Sequence, residues 1–238
     1  MNEQPDRRDR ADSGGDSGDG SCCLAGSCAN GAGPATTEES SPLSPPLSDQ
    51  PGEHPVVSHD VVYTGRVFDM VCDQVDLGSA TVVREYLGHP GAVVVIAMDD
   101  DERVLLLSQY RHPVRRVLWE PVAGLLDVDG EPELDAAVRE LAEEADLVAA
   151  SWWRLANIYA TPGGSSEHMA IFLARDLSPT PESFARTDEE ATMVPVWIHL
   201  DDAVAGVLAG RLRSPSTAVG VLAAAAARAQ AWTTLQPV

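Results

Sequence analysis

Residues 124–147 read Gly-Leu-Leu-Asp-Val-Asp-Gly-Glu-Pro-Glu-Leu-Asp-Ala-Ala-Val-Arg-Glu-Leu-Ala-Glu-Glu-Ala-Asp-Leu. Apolar residues recur in this stretch at steps of four and three, which is the spacing of one helix face. They are Leu134, Val138, Leu141 and Ala145. Pro132 suits the first turn of such a helix. The stretch therefore predicts a helix over 132–145 with one buried stripe.

The segments on either side of this helix are short runs rich in β-branched and aromatic residues, which predicts strands. The runs begin near Val56 and include 80–86, 92–98, 104–110, 152–159, 169–174 and 193–199. Turn sequences at 89–91 and 99–102 interrupt them. Two further stretches rich in Ala, Val and Leu, 200–208 and 215–232, are predicted helices. This order predicts an α+β fold with a mixed sheet, preceded by a small antiparallel β region at 56–88.

The charge balance limits the classes of partner. The 238 residues are 44% hydrophobic, enough for a core, and carry a net charge of −21. Such a charge repels nucleic acids and anionic membranes, so neither is an expected partner. A phosphorylated substrate requires local cations, either metal ions or arginines. All 16 basic residues are Arg, a bias that indicates a GC-rich bacterial genome.

Residues 1–55 contain no Val, Ile, Phe, Tyr or Trp, and are dominated by small and acidic residues. Such a segment cannot bury enough apolar surface to order itself, so a disordered tail is predicted. It carries Cys22, Cys23 and Cys28 without a second cluster at zinc-ligand spacing. The alternatives left open are a segment without a role and a regulatory or metal-sensing use of the cysteines. Without an apolar segment of about 18 residues, a cytoplasmic location is expected.

Three glutamates lie close together on the predicted helix. Glu140 and Glu144 are one turn apart on one face, with Glu143 beside them. Like charges at this spacing destabilise a helix by a few tenths of a kcal/mol per pair, unless cations neutralise them. Mg²⁺ prefers such oxygen ligands. The residues alone allow either a metal site or a solvated acidic face.

The wider spacing resembles the signature of the Nudix hydrolases: Gly, five residues, Glu, seven residues, then Arg-Glu-apolar-x-Glu-Glu-x-Gly-apolar. The matching residues are Gly124, Glu131, Arg139, Glu140, Leu141, Glu143, Glu144 and Leu147. Six residues rather than five separate Gly124 from Glu131, and Asp146 replaces the signature Gly. Asp can adopt the left-handed conformation at a helix end, less readily than Gly, so a small stability cost is expected.

The resemblance implies an α/β/α sandwich for residues 89–238, and it narrows to the ADP-ribose pyrophosphatase subgroup. The residues that carry it are Gln-Tyr-Arg-His-Pro at 109–113 and Trp-Glu-Pro-Val-Ala-Gly at 119–124, where the subgroup has Trp-Glu-Leu-Pro-Ala-Gly. It implies two or three Mg²⁺ ions, with Mn²⁺ as an alternative. Their ligands would be the Ala123 carbonyl, Glu140, Glu143 and Glu144. Arg139 would orient these carboxylates.

Other residues receive roles by the same resemblance. Glu167 ends the loop Thr-Pro-Gly-Gly-Ser-Ser-Glu at 161–167 and would be the general base. The alternative is that Glu167 is a surface glutamate without a role in catalysis. Glu143 would then be the next base to test. Arg111 would contact the substrate phosphates, or form a structural salt bridge. Arg84 and Glu85 would reach the substrate from the partner in a homodimer formed through 56–88, although two residues are a short match.

The implied reaction is hydrolysis of ADP-ribose to AMP and ribose 5-phosphate. The signature specifies the pyrophosphate rather than the groups attached to it, so nucleotide sugars and dinucleoside polyphosphates are alternative substrates. A non-catalytic binding module is disfavoured by the intact glutamates. The isopentenyl diphosphate isomerase of this family needs a reactive cysteine, and Cys72 is the only cysteine in residues 56–238.

Overall fold

A computed structural model describes residues 47–181, 184, 192–235 and 237–238 of the chain. Gly52–Val238 form one compact unit. Most of the predicted tail, residues 1–46, lies outside the described residues; residues 47–55 are exposed and belong to no helix or strand. None of the helices in the described part is long and apolar enough to cross a membrane.

Ten strands and three α-helices make up the described part of the chain. In chain order they are β1 (Val56–Thr64), β2 (Asp69–Asp76), β3 (Thr81–Gly88), β4 (Ala92–Ala97), β5 (Arg103–Arg111), β6 (Arg116–Glu120), β7 (Val122–Leu125), α1 (Glu133–Ala145), β8 (Leu147–Tyr159), β9 (His168–Pro179), β10 (Val194–His199), α2 (Leu200–Leu208) and α3 (Pro215–Ala229). The expected α+β fold and the N-terminal antiparallel sheet are confirmed.

The strands form three sheets. The N-terminal sheet has the order β1-β2-β3, the second β10-β5-β6, and the central sheet β7-β4-β9-β8. All pairs are antiparallel except β4 with β9, which run parallel and make the central sheet mixed. Ala92 pairs with Leu125 on one side and with Met169 on the other. The end of β7 and the start of β9 therefore meet at one edge of this sheet.

Alternation along β4 divides the core into two layers. Val93 and Val95 face α1, whereas Val94 and Ile96 face α3. All four side chains are at most 1% exposed, because helices cover both faces of the central sheet. α3 lies very close to β4: a Cβ on Gly220 would come within 2.5 Å of the Ile96 side chain. This layering is the predicted α/β/α sandwich.

Helix α1 differs in detail from its predicted form. Val138 was expected in the buried stripe but is 39% exposed, whereas Ala136 and Ala137 are fully buried. The prediction for Val138 is wrong because small alanines, which bring the helix close to the sheet, contribute little to an apolar periodicity. Pro132 is the N-cap, with φ −62° and ψ 146°, rather than part of the first turn.

The helix ends at the residue that replaces the signature glycine. Asp146 is the C-cap and has φ 55° and ψ 35°, the left-handed conformation expected for it. Its backbone N–H donates to the carbonyls of Ala142 and Leu141. Asp therefore terminates α1 with the backbone geometry that Gly normally supplies.

Candidate active site

Arg139 forms the centre of a carboxylate cluster on α1. Its Nε and Nη2 donate to the two carboxylate oxygens of Glu131, both at 3.0 Å. Its Nη1 donates to Glu140 Oε1 at 2.7 Å and to Glu143 Oε2 at 3.1 Å. One guanidinium thus fixes three carboxylates, two on its own helix and one in the preceding loop. Planar, multidentate hydrogen bonding of this kind is specific to arginine.

These contacts shift the titration of both partners. The hydrogen bond from Arg139 lowers the pKa of Glu131, against a smaller opposing effect of desolvation. The hydrogen bond to Glu131 raises the pKa of Arg139, and Glu140 adds to the effect. Arg139 is therefore permanently charged, and Glu131 is ionised at neutral pH. Arg139 therefore holds the Glu131 carboxylate in place while the carboxylate stays negatively charged.

Gly124, at the end of β7, makes room for Glu140. A Cβ built on Gly124 would lie 2.0 Å from both Cδ and Oε1 of Glu140, which no real contact allows. The carboxylate group therefore packs directly on the strand backbone. The signature glycine is required here by close approach, because the space beside its Cα is filled by Glu140.

The neighbouring residue of β7 fixes a second glutamate. The backbone N–H of Ala123 donates to Glu144 Oε2 at 3.1 Å. Glu140 and Glu144 lie one helical turn apart, and they contact consecutive residues of β7, Gly124 and Ala123 respectively. The predicted ligands Ala123, Glu140, Glu143 and Glu144 come together in one cluster with Arg139.

The donor set fits a hard divalent cation. The cluster contains four carboxylates and one guanidinium, which binds three of them, so three negative charges are left uncompensated (four minus one). Oxygen donors of this kind suit Mg²⁺. Within the described residues, no group of three His, Cys, Asp or Glu side chains is already arranged around a common metal position. One oxygen each of Glu140 and Glu143 accepts from Arg139, and one oxygen of Glu144 accepts from the Ala123 amide.

Replacing Gly124 by Ala should displace Glu140, because the new methyl group overlaps its carboxylate. We expect a loss of about 1–3 kcal/mol in the free energy of unfolding from overpacking. For the Mg²⁺ site that the resemblance implies, the displaced ligand should lower turnover by about 10–100-fold, as for lost support of metal ligands. Denaturant unfolding measures the stability, isothermal titration the metal affinity and steady-state kinetics the turnover. Gly52→Ala, whose Cβ would meet nothing within 4 Å, is the control; unchanged metal affinity in the Gly124 variant would contradict the assigned contact.

Glu167 lies in the loop that joins β8 to β9. Its backbone N–H donates to Ser165 Oγ at 3.1 Å, and its carbonyl accepts from Ala160 at 3.2 Å. The hydrogen bonds of the Arg139 cluster described above do not include it. It nevertheless belongs to the same edge of the central sheet as the loop 126–132, because β9 starts where β7 ends.

Arg111, at the end of β5, forms a salt bridge, which was the alternative to a substrate contact in the sequence analysis. Its Nε donates to Glu120 Oε2 at 2.8 Å, and the Glu120 side chain is only 9% exposed. Glu120 ends β6, three residues before Ala123. Since 43% of the Arg111 side chain stays exposed, the salt bridge does not exclude a substrate contact. Glu120 itself was not among the predicted site residues, although Trp-Glu at 119–120 in the quoted motif was a signal for it.

Comparison with known proteins assigns the family. The model of the NUDIX domain matches residues 88–217. The chain belongs to the Nudix hydrolase family. It is 40% identical over 168 residues to an ADP-ribose pyrophosphatase of Mycobacterium tuberculosis, covering 70% of this chain and 81% of the relative. It is 32% identical over 171 residues to an ADP-ribose pyrophosphatase of Bacillus subtilis, covering 71% and 91%. These relatives place it among the Nudix pyrophosphatases.

A solved structure agrees with the Nudix fold. The crystal structure of an ADP compounds hydrolase superposes with a TM-score of 0.63, covering 77% of this chain and 98% of that chain. Its sequence identity is 20%, so the likeness concerns the fold.

The remaining predicted residues of this Nudix protein lie on the N-terminal sheet. Arg84 and Glu85 are adjacent on β3, where Arg84 pairs with Asp73 and Glu85 with Cys72 in the strand register. Arg84 Nη1 donates to the carbonyl of Val83 at 2.9 Å, and both residues are exposed. They make none of the hydrogen bonds of the Arg139 cluster, and their assignment to the site of a partner subunit stays a prediction.

Proposed function

We propose that the protein hydrolyses the pyrophosphate bond of ADP-ribose or a related nucleoside diphosphate sugar in a Mg²⁺-dependent reaction. ADP-ribose would give AMP and ribose 5-phosphate. The observation that carries the proposal is the cluster of α1 glutamates, held by Arg139 and fitted against Gly124 and Ala123. The names of the mycobacterial and Bacillus relatives support the choice of ADP-ribose.

The cations would be held by the Ala123 carbonyl and by Glu140, Glu143 and Glu144. We propose two or three Mg²⁺ ions, replaceable by Mn²⁺; when bound they would neutralise the pyrophosphate and acidify the attacking water. The contribution of the chain is to orient the ligands. Arg139 holds Glu140 and Glu143, and the Ala123 N–H holds Glu144.

Glu167 would take the proton of the attacking water. Its support is its position on a loop at the sheet edge next to the loop 126–132, together with its place in the motif. Glu143 is the second candidate, because its side chain is 39% exposed and it belongs to the carboxylate cluster. Arg111 would contact the substrate phosphates through the part of its guanidinium that Glu120 does not engage.

We further propose that the protein acts as a homodimer in the cytoplasm, formed through the N-terminal sheet. A three-stranded sheet needs a packed face to be stable. Large apolar side chains of this sheet and its turns are exposed: Val56, Val57, Val61, Val62, Tyr63, Val67, Phe68, Met70, Leu77 and Val83. A second copy would cover them and bring Arg84 and Glu85 to the neighbouring site.

The dimer predicts a mass of twice 25.2 kDa in light scattering at micromolar concentration. Replacing Met70 and Val83, which lie on the same face of the sheet, by Asp should dissociate it, because charges on a buried apolar interface are unfavourable. The dissociated protein should lose activity, because Arg84 and Glu85 of the second copy no longer reach its site. A fully active monomer would remove Arg84 and Glu85 from the site.

Product analysis on a substrate panel tests the activity. ADP-ribose, ADP-glucose, NADH and diadenosine polyphosphates would be compared with Mg²⁺ and with Mn²⁺. The proposal expects the highest kcat/KM for ADP-ribose, with AMP and ribose 5-phosphate as products. Preference for another nucleotide would assign a different substrate to the same Nudix site. Nucleotide binding without hydrolysis of any panel member would identify a binding module instead.

A further inference from the structure

His168 joins the strand after the Glu167 loop to the first turn of α1. It is the first residue of β9 and follows Glu167 directly in the chain. Its Nε2 lies 3.6 Å from Glu133 Oε1, an ion-pair distance when the imidazole is protonated. Glu133 is the first residue of α1, where a carboxylate also interacts favourably with the helix dipole.

The His168 ring also packs against the backbone of Gly91. A Cβ on Gly91 would lie 2.3 Å from His168 Cε1 and 2.7 Å from its Nδ1. The Gly91 carbonyl in turn accepts a hydrogen bond from Leu126, the first residue after β7, at 3.1 Å. The imidazole thus lies between α1 and the start of β4, on the face of the central sheet that α1 covers, with 42% of the side chain exposed.

Glu133 has a second, shorter ion pair that keeps it in place. Arg154 on β8 donates its Nη2 to Glu133 Oε2 at 2.8 Å. The Arg154 guanidinium carbon lies 4.5 Å from the centre of the Phe172 ring, a cation–π contact with β9. Glu133 therefore presents its other oxygen to His168 from a fixed position.

The opposite side of the Glu167 loop is attached to the end of β3. Leu87 donates its N–H to Gly164 at 3.0 Å and accepts from the Ser166 N–H at 2.9 Å. Ser166 Oγ accepts from the His89 N–H at 2.8 Å. The loop is thus attached to β3 through its own residues, and to α1 only through His168 among the contacts described here.

We propose that His168 is a positioning residue, which fixes the loop carrying Glu167 relative to the helix that carries Glu140, Glu143 and Glu144. The inference rests on the proposed function, which assigns the general base Glu167 to this loop. A general base must come within about 3 Å of the proton it removes, or act through one water. Displacement by about 1 Å costs up to about 100-fold in rate. An anchor between the two elements therefore acts on turnover rather than on metal binding.

The experiment compares His168→Ala, Glu133→Ala and their double variant. Kinetics with ADP-ribose and Mg²⁺ should show kcat lowered by about 10–100-fold in each, with KM and Mg²⁺ affinity within about twofold. The double variant should be no slower than Glu133→Ala, because both single variants remove the His168–Glu133 contact, and Glu133→Ala removes the ion pair to Arg154 as well. His168→Gln keeps an N–H donor near the Nε2 position and should recover most of kcat.

Hydrogen exchange provides a readout that does not depend on turnover. The Ser165 amide donates to Thr161 within the loop, and the Ser166 amide donates to Leu87 of β3. Both amides should exchange about 10-fold faster in His168→Ala. Arg228→Ala, on α3, is the matched control, because it removes partly exposed ion pairs to Glu102, at 3.1 Å, and to Asp201. It should change neither the loop amides nor kcat.

Two results would overturn the inference. Unchanged exchange in His168→Ala would mean that His168 does not fix the loop. Faster exchange with unchanged kcat would mean that it fixes the loop without positioning a catalytic group. If the wild-type protein hydrolysed no member of the substrate panel, the proposed function would fail, and the exchange data would still decide whether His168 anchors the loop.

Discussion

Replacing Glu167 by Gln should lower turnover by about 10²–10⁴-fold, the contribution of a positioned general base. Glutamine keeps the shape of the side chain and removes its ability to accept a proton. Because Glu167 lies outside the hydrogen-bonded cluster of α1, Mg²⁺ affinity and KM should stay nearly constant. Steady-state kinetics at saturating Mg²⁺, together with calorimetric titration of the metal, measure both quantities.

The control for this variant is a neighbouring polar substitution, Thr161→Ser, which retains the loop and should keep wild-type turnover. If Glu167→Gln keeps more than about a third of wild-type turnover, far above the range for a lost base, the assignment of Glu167 is wrong. Glu143 would then be the next residue to replace, since its carboxylate is the more exposed member of the Arg139 cluster, at 39% compared with 13% for Glu140.

Replacing Glu144 by Gln should weaken Mg²⁺ binding and lower turnover together. The variant removes one negative charge from the cluster and weakens the hydrogen bond from the Ala123 N–H, which is 3.1 Å long and charge-assisted. A loss of about 3 kcal/mol of metal-dependent stabilisation corresponds to roughly 100-fold in rate at fixed Mg²⁺. Raising the Mg²⁺ concentration should restore part of the activity.

Asp135→Asn provides the matched control for Glu144→Gln, because it removes the same charge from an exposed position on the same helix. It should leave Mg²⁺ affinity unchanged. A Glu144 variant with normal metal affinity but low turnover would mean that Glu144 does not bind the cation. Recovery at high Mg²⁺ in Glu144→Gln, without recovery in Glu167→Gln, would separate a ligand from a base.

Much of the fold is predictable because it follows local patterns. α2 occurs at the predicted residues, and β4, β5 and β10 agree within two residues, since β-branched runs and turn residues mark their ends. β6 and β7 were not predicted: they are short, and Pro121 between them and Gly124 within β7 suppress the strand signal. Val138 shows a second limit, because periodicity cannot tell which of two adjacent apolar faces meets the sheet.

The candidate site was predictable only where one element carries it. Because Glu140, Glu143 and Glu144 all lie on α1, their spacing in the sequence was enough to predict that they are neighbours. The packing of Glu140 on Gly124, the pairing of Arg111 with Glu120 and the contact of His168 with Glu133 each join different elements. Such contacts depend on strand register and layer order, which a sequence pattern does not contain.

The parallel pairing of β4 with β9 bears on how the chain folds. Ala92 lies beside Met169, so the whole of α1 and β8 is enclosed in the loop that this pairing closes. Loop closure over a long segment is entropically costly and slow, whereas α1 and the antiparallel pair β8–β9 depend on nearer neighbours along the chain. We expect the carboxylate cluster on α1 to form early and to meet the Glu167 edge only when β9 docks on β4. Substitutions in the buried middle of β9, such as Ile171→Val, should therefore slow refolding more than equally destabilising substitutions in α3.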